Sequence, residues 1–559
     1  MKTKYLLVSA LSAIVFCACD NYLTTEYKGG SQSSTQVGET VDAIPTRINS
    51  AVSGMYAKLG EPYGYFGSSN RADDGGFPSI CLSLDLNSGD MTNPVSGYDW
   101  FTVAQEFSDR TPSYANPRLR SGLLYNIIYA TQEVISSVPD DTENPELKAK
   151  RGQAKAIRAF AYLNMVPYFQ FKYVGNEDKP TVPIMADEKT EIDPLNNPRA
   201  PMKDMYDYII SDLTAAIADL HGYPRENKGI IDEQVAYGLR ARAHLNMEKW
   251  AEAAADADSA LNLAGGTAYA PYDMNELKEP GFYDASDHNW MWAILMPQSL
   301  IGDAVCAWPS QLGSFSGNSY TAYAGIYRAI NNLLYNRIPS TDVRKAWWLN
   351  EDMESPYLEG LSWADDNAEG GPKVYVGQEI AGAEIADVKV AMYPYANVKF
   401  GQRSGVGSNY NDGDWCLMRA EEMLLIQAEA YAKAGQLSKG KGILENFVKT
   451  YRDPNFVSVA SDPESFSDEV WLQRRIELWG EGFAMADKMR LGKNIVRFHP
   501  GQPTNVAEEY QFNLAPNNPW LLMRFTQTEM NGNAGIVQNE GGEQPKQGDG
   551  AALKDGVTD

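Results

Sequence analysis

The chain of 559 residues contains only 4 His, which leaves few imidazoles for that side chain's commonest tasks, proton transfer and metal ligation. Cysteine is also scarce: of 5 in all, Cys17 and Cys19 sit at the extreme N-terminus, and Cys81, Cys306 and Cys416 are far apart. No spaced Cys/His set suits zinc and no disulfide framework is indicated, so the last three are expected to be small buried hydrophobes. Basic residues are outnumbered, 48 Lys and Arg against 73 Asp and Glu, giving a formal net charge of -25. Such a surface repels polyanions and excludes a nucleic-acid partner. Also missing are a Gly-x-Ser-x-Gly elbow, a His-Glu-x-x-His helix and a phosphate-cradling Gly-Lys-Ser/Thr loop. Among so many carboxylates, neighbours such as Asp73/Asp74 and Asp412/Asp414 arise by chance and do not by themselves mark a glycosidase. What the chain has is aromatic surface, 32 Tyr, 18 Phe and 12 Trp, within a hydrophobic content of 43%. With a mean hydropathy of -0.40, this is the composition of a soluble globular protein with a large core.

At the N-terminus, Lys2 and Lys4 precede an apolar stretch, residues 5–16, which is too short to span a bilayer and has the build of an export signal. It ends Phe16-Cys17-Ala18-Cys19 before polar Asp20 and Asn21, which looks like a bacterial lipobox. Residues 1–18 are therefore expected to be removed and Cys19 to carry lipid. Several acyl chains give a durable anchor, at about 0.8 kcal/mol per buried methylene. Residues 19–45, rich in Ser, Thr and Gly, then form a flexible leader.

Apolar residues recur at three- and four-residue intervals in residues 120–138, 146–169, 202–220 and 233–263, and again in 415–449 and 467–491, predicting helices. Between them, residues 265–412 are rich in Gly, Asn, Pro and aromatics, with one short predicted strand at residues 290–295. Trp290 and Trp292 share a face of that strand and are expected in the core. The resulting division is a helical part over 46–264, a loop-rich insertion over 265–412, a second helical part over 413–531 and a poorly ordered tail over 532–559. Small residues around Ala241, Ala243, Ala253, Ala257 and Ala260, and again around Ala428, sit where antiparallel helices must touch, as in a tetratricopeptide repeat. Gly440 stands in the second copy where Ala is usual. His244 falls on the packing face of the first pair and is expected to be a satisfied core residue.

The helices in order match a family. After Cys19-Asp20-Asn21-Tyr22-Leu23 come Leu124-Tyr125-Asn126-Ile127-Ile128-Tyr129-Ala130 and Gly152-Gln153-Ala154-Lys155-Ala156-Ile157-Arg158-Ala159-Phe160-Ala161-Tyr162. Arg419-Ala420-Glu421-Glu422-Met423 follows, then Arg474-Arg475-Ile476-Glu477-Leu478-Trp479-Gly480-Glu481-Gly482, continuing to Asp487-Lys488-Met489-Arg490-Leu491. This ordered set resembles the SusD/RagB-like outer-membrane lipoproteins of Bacteroidetes over nearly the whole chain. Gln132 or Glu133 stands where the family often has Asn, Phe483-Ala484-Met485-Ala486 replaces an Arg-containing stretch, and the C-terminal signature survives loosely in residues 527–531. The resemblance implies a mainly α, tetratricopeptide-like scaffold. It also implies a surface-exposed nutrient-binding lipoprotein that caps a SusC-like TonB-dependent barrel and delivers glycan fragments or, in some members, peptides. Arg158 and Glu477 are then scaffold ion-pair residues.

Binding is expected from flat aromatic rings in polar, Gly-rich context, because sugars present apolar C–H faces between hydroxyls. Tyr98 and Trp100 lie in one such cluster, and Trp308, Tyr320 and Tyr323 in another; Asn70, Arg71 and Asp73 supply polar partners nearby. Plainer readings compete, since Trp100 could instead cap the helical core. No cofactor is required, although Asp85, Asn87 and Asp90 are oxygen ligands in a predicted loop that could hold a structural calcium off the EF-hand spacing. The chain is therefore expected to be a non-enzymatic oligosaccharide-binding lipoprotein. Its rivals are a peptide receptor and a surface glycoside hydrolase.

Overall fold

The computed structural model describes residues 34–67, 71–185, 192–301, 304–318, 325–385 and 390–559. Cys19 with the signal segment, and the candidates Asn70, Tyr320 and Tyr323, lie outside the described residues. The long helices are α1 (Ser34–Ala43), α2 (Asn49–Ala57), α3 (Phe77–Ser88), α4 (Ala115–Ser137), α5 (Pro145–Phe169), α6 (Met202–Leu220), α7 (Glu233–Asn246), α8 (Trp250–Leu261), α9 (Ala420–Lys433), α10 (Leu437–Tyr451), α11 (Pro463–Glu477) and α12 (Ala484–Leu491). The strands of four or more residues are β1 (Trp290–Ile294), β2 (Ser362–Asp365), β3 (Lys373–Val376) and β4 (Trp415–Arg419).

The helices stack in series: α4 packs on α5, α5 on α6, α6 on α7, α7 on α8, α8 on α9, and α9 on both α10 and α11. The tetratricopeptide-like reading of a mainly α chain is thus borne out. The series passes straight from α8 to α9 although the long insertion separates them in sequence. The joint is closed by β1 and β4, which pair antiparallel with Trp290 opposite Arg419 and Ile294 opposite Trp415. The periodicity of residues 415–449 predicts helix from Trp415 onward, and here the structure differs. Residues 415–419 are all buried, and their apolar run 415–418 suits a buried strand as well as a helix; pairing with β1 decides for the strand.

Local chemistry sets the ends and crossings. Asn144 caps α5, its Oδ1 accepting the Glu146 amide at 2.9 Å, with Pro145 at the first helical position. The α9–α10 turn passes through Gly435 at φ 85°, which a larger residue would strain. Gly440 sits so close to α9 that a Cβ there would lie 2.5 Å from the Ala428 carbonyl oxygen, so the departure from Ala brings the pair closer. His244 is buried, its Nδ1 3.0 Å from Asp256, which also takes both arms of Arg240 at 2.8 Å. Arg158 of α5 holds Asp212 of α6 in a fork at 2.7 and 2.8 Å. Both are scaffold contacts of the kind expected. Cys81, Cys306 and Cys416 are free and buried. Trp290, Trp292, Trp347, Trp348, Trp471 and Trp479 are all fully buried. Among the described residues no helix is long and apolar enough to cross a membrane.

Three expectations are corrected. The leader's last part is not loose: α1 packs on α4 and buries Val41. The C-terminal tail is pinned to the body, because Asp555 accepts Arg475 Nη1 at 2.9 Å while the other edge of that guanidinium grips Asp90 at 2.8 and 3.0 Å. Its Gly-rich composition signals freedom, but a distant cation fixes it. Finally, Asp85, Asn87 and Asp90 do not form an open calcium loop. Asp85 and Asn87 are buried on α3. Asn87 bonds the Ala104 carbonyl and Arg110, while Asp90 faces the cations of Arg475 and Lys488.

Asp85 has a measurable signature. Its Oδ2 accepts the Gly482 amide at 2.9 Å, and its Oδ1 has no partner among the described residues. Burial pushes the carboxyl up to about 8, against an unfolded value of about 3.9. The folded state therefore holds this proton more tightly, so the stabilisation is fully present below about pH 4 and is lost as pH rises through about 8. Asp85→Asn keeps the side chain neutral throughout. Its urea midpoint is expected to fall less than the wild type's across that window and to exceed it at the upper end; parallel curves would refute the assignment.

Candidate functional site

A loop that turns at residues 100–101 into a short helix, Thr102–Gln105, creates the site. In residues 98–101, Tyr98 points outward with 66% of its surface exposed, Asp99 points inward, Trp100 is half-buried and Phe101 is buried. The inward residues are the anchors. Asp99 Oδ2 accepts Arg328 Nη1 at 2.7 Å in a fully buried pair, and its Oδ1 accepts the Phe101 amide. Thr102 Oγ1 closes the turn on the Gly97 carbonyl at 2.8 Å. Tyr98 and Trp100 are thereby held on the surface, edge to face, with ring centres 6.1 Å apart.

Arg71 joins them from another loop. Its guanidinium carbon lies 4.8 Å from the Trp100 ring centre and 4.9 Å from that of Phe66. Cation–π pairs of this kind contribute about 0.5–2 kcal/mol. The arginine is aimed by Asp73, whose Oδ1 accepts Arg71 Nε at 2.9 Å and whose Oδ2 accepts Nη2. Asn116 Nδ2 donates to the same carboxylate at 3.2 Å. Asp74 builds the opposite wall: its carboxylate accepts the Phe66 amide at 2.8 Å and the Tyr65 amide at 3.2 Å. Burial raises Asp74's pKa above the usual carboxylate range against the pull of those amides. The result is a platform of Tyr98, Trp100 and Phe66 crossed by the Arg71 guanidinium, whose Nη1 stays outside the Asp73 fork, with the Arg118 guanidinium also over Phe66, 5.7 Å from its ring centre. It offers flat apolar faces beside a planar donor, the pairing that a sugar ring's C–H face and hydroxyls need.

Trp308, predicted to bind, is corrected to core. It is 3% exposed, its Nε1 donates to the Gly413 carbonyl at 2.8 Å, and its ring packs on Phe400 and Trp415 at 5.8 and 5.6 Å. A tryptophan before proline among small residues reads as exposed, but here it opens a short helical turn, Trp308–Gln311, whose ring side faces the β4 strand. The platform therefore gathers Tyr98, Trp100, Arg71 and Asp73, and excludes Trp308. Sequence reasoning missed Phe66, and also Trp363 and Tyr375, which stack at 5.3 Å and 14° on the β2–β3 hairpin beside exposed Val374. For the hairpin the signal was present as short stretches rich in aromatic and β-branched residues, Trp363 and Val374-Tyr375-Val376, on either side of Gly370-Gly371.

Residues 339–541 match the model of the SusD family. SusD-like protein P38 of Formosa agariphila is 21% identical over 413 residues, covering 69% of this chain and 74% of that protein. Among solved structures, a SusD-like carbohydrate binding protein from Bacteroides vulgatus superposes with a TM-score of 0.69 at 21% identity, covering 88% of this chain and 97% of that one. A SusD superfamily protein from Bacteroides thetaiotaomicron gives 0.65 at 20% identity, with 89% and 99% covered. The resemblance read in the ordered helices is thereby borne out: over nearly its full length the chain has the fold of these SusD-like proteins, and residues 339–541 match the SusD family model.

Proposed function

We propose that this chain captures oligosaccharides at the cell surface and passes them to a SusC-like TonB-dependent transporter, performing no bond chemistry itself. In this reading Cys19 carries the lipid that tethers it to the outer membrane. The observation that carries the binding role is the Tyr98–Trp100–Arg71 platform, aromatic faces crossed by an aimed guanidinium. The neighbouring carboxylates support capture over cleavage. Asp73 is engaged by Arg71 and Asn116, and Asp74 by backbone amides, so neither stands free as the acid or nucleophile that glycoside hydrolysis needs. The carbohydrate-binding relative from Bacteroides vulgatus is in line with this.

The deciding experiment sets a glycan array against a peptide pool, using the chain without its signal segment. Glycan binding with intact glycans recovered is the expected result. Binding confined to peptides would make the chain a peptide receptor, and release of shortened products would make it a hydrolase.

A further inference from the structure

A second concave site opens next to the platform. A groove of about 510 Å³ runs between α4, residues 183–185 and residues 525–533, within the roughly 300–1,000 Å³ typical of small-molecule sites. Its walls are fixed without any ligand. Tyr125 Oη donates to the Pro183 carbonyl at 2.9 Å, Gln132 Nε2 to Met185 at 3.2 Å, and Asn197 Nδ2 to Ile184 at 2.7 Å. A site built in advance loses less ordering entropy on binding.

The lining has the chemistry of the platform. Tyr125 and Tyr129 are one helical turn apart on α4 and both line the groove, with Tyr129 at the rim and 69% exposed. Asn126, exposed, lies between them in sequence and also lines the groove. The described lining carries one cation, Arg118, and one anion, Glu529, so it has no net formal charge and suits a neutral ligand.

The groove adjoins the platform through packed rings. Tyr65 lines it and sets its ring edge against Phe66 at 4.8 Å, and Phe66 lies under the same Arg71 that covers Trp100. Tyr65 reaches this place by crossing α4 at Gly122, where a Cβ would fall 2.2 Å from its hydroxyl oxygen. From this geometry we infer that the groove is a second subsite, binding neutral sugar rings of the same chain beyond those stacked on Trp100. Tyr129 and Tyr125 supply ring faces and Asn126 an amide. This rests on the proposed function and extends it to ligand length.

The test is hydroxyl-radical footprinting of the full chain, read at Trp100 and Tyr129, with size ladders of neutral malto-, cello-, manno- and xylo-oligosaccharides. In the ladder that binds, short members are expected to protect Trp100 alone and longer ones Tyr129 as well. Tyr129→Ala should then weaken the longest member about tenfold, leaving the shortest member's affinity and the thermal midpoint unchanged. Protection of Trp100 with Tyr129 oxidised at its free rate under saturating long ligand would overturn the groove and leave the platform standing. Protection of Tyr129 alone would overturn the platform and the shared chain. Protection of neither by any ladder would overturn both.

Discussion

Replacing Trp100 by Ala is expected to weaken oligosaccharide binding by more than about tenfold, as for a hot-spot anchor, and to leave the thermal unfolding midpoint nearly unchanged. The indole is half-buried and contributes a ring face under Arg71. Removing it does not touch the Arg71–Asp73 fork or the Asp99–Arg328 pair that shape the loop. Trp308→Ala is the counterpart. That ring lies inside the Phe400–Trp415 cluster, so its loss should cost about 3–5 kcal/mol of stability with no specific effect on the platform. Titration calorimetry and thermal melts on both variants separate the roles. A large loss of stability with unaltered affinity in Trp100→Ala would return Trp100 to the core.

Glu477→Ala should be the most damaging substitution in the scaffold, costing roughly 3–5 kcal/mol because it strands buried cations. Glu477 Oε1 accepts Arg419 Nη1 at 2.7 Å and Arg452 Nη2 at 2.9 Å. Its Oε2 accepts Arg452 Nε at 2.8 Å and Arg344 Nη1 at 3.0 Å. Burial alone would push this carboxyl up, but Arg452, Arg419 and Arg344 outweigh it and hold it well below the usual carboxylate range. A depressed value adds stability that is present above the unfolded value of about 4.3 and lost only on acidification. Urea unfolding at neutral pH is the measurement, and a change under about 1 kcal/mol would remove Glu477 from this role. The cluster also explains how the insertion is bound: Arg344 comes from it, Arg419 from β4, and Arg452 follows α10.

What was legible in the sequence follows the range of the interactions. Helices such as α6 appear where periodicity places them, because a helix's apolar stripe is written within its own turns. The Tyr98–Trp100 stretch could be picked out as a polar-context aromatic cluster, and its in-and-out alternation is local as well. Trp308 could not be placed, since its burial depends on Phe400, Gly413 and Trp415, all distant in sequence. The same limit hid β4, whose partner strand lies on the far side of the insertion, and Phe66, which joins the platform only through Arg71. Tyr125 and Tyr129 were visible as part of an aromatic-rich helix, but nothing along the chain shows that residues 183–185 and 525–533 come round to wall them in.

The Asp90–Arg475–Asp555 contact bears on biosynthesis. A ribosome releases Asp90 early, and this carboxylate must then wait for Arg475 and Lys488, while Arg475 in turn waits for Asp555, 80 residues further along the chain. This buried network cannot close until Asp555 has been synthesised. Until then Arg475 can hold Asp90 through Nε and Nη2, but its Nη1 lacks the carboxylate that completes the pairing.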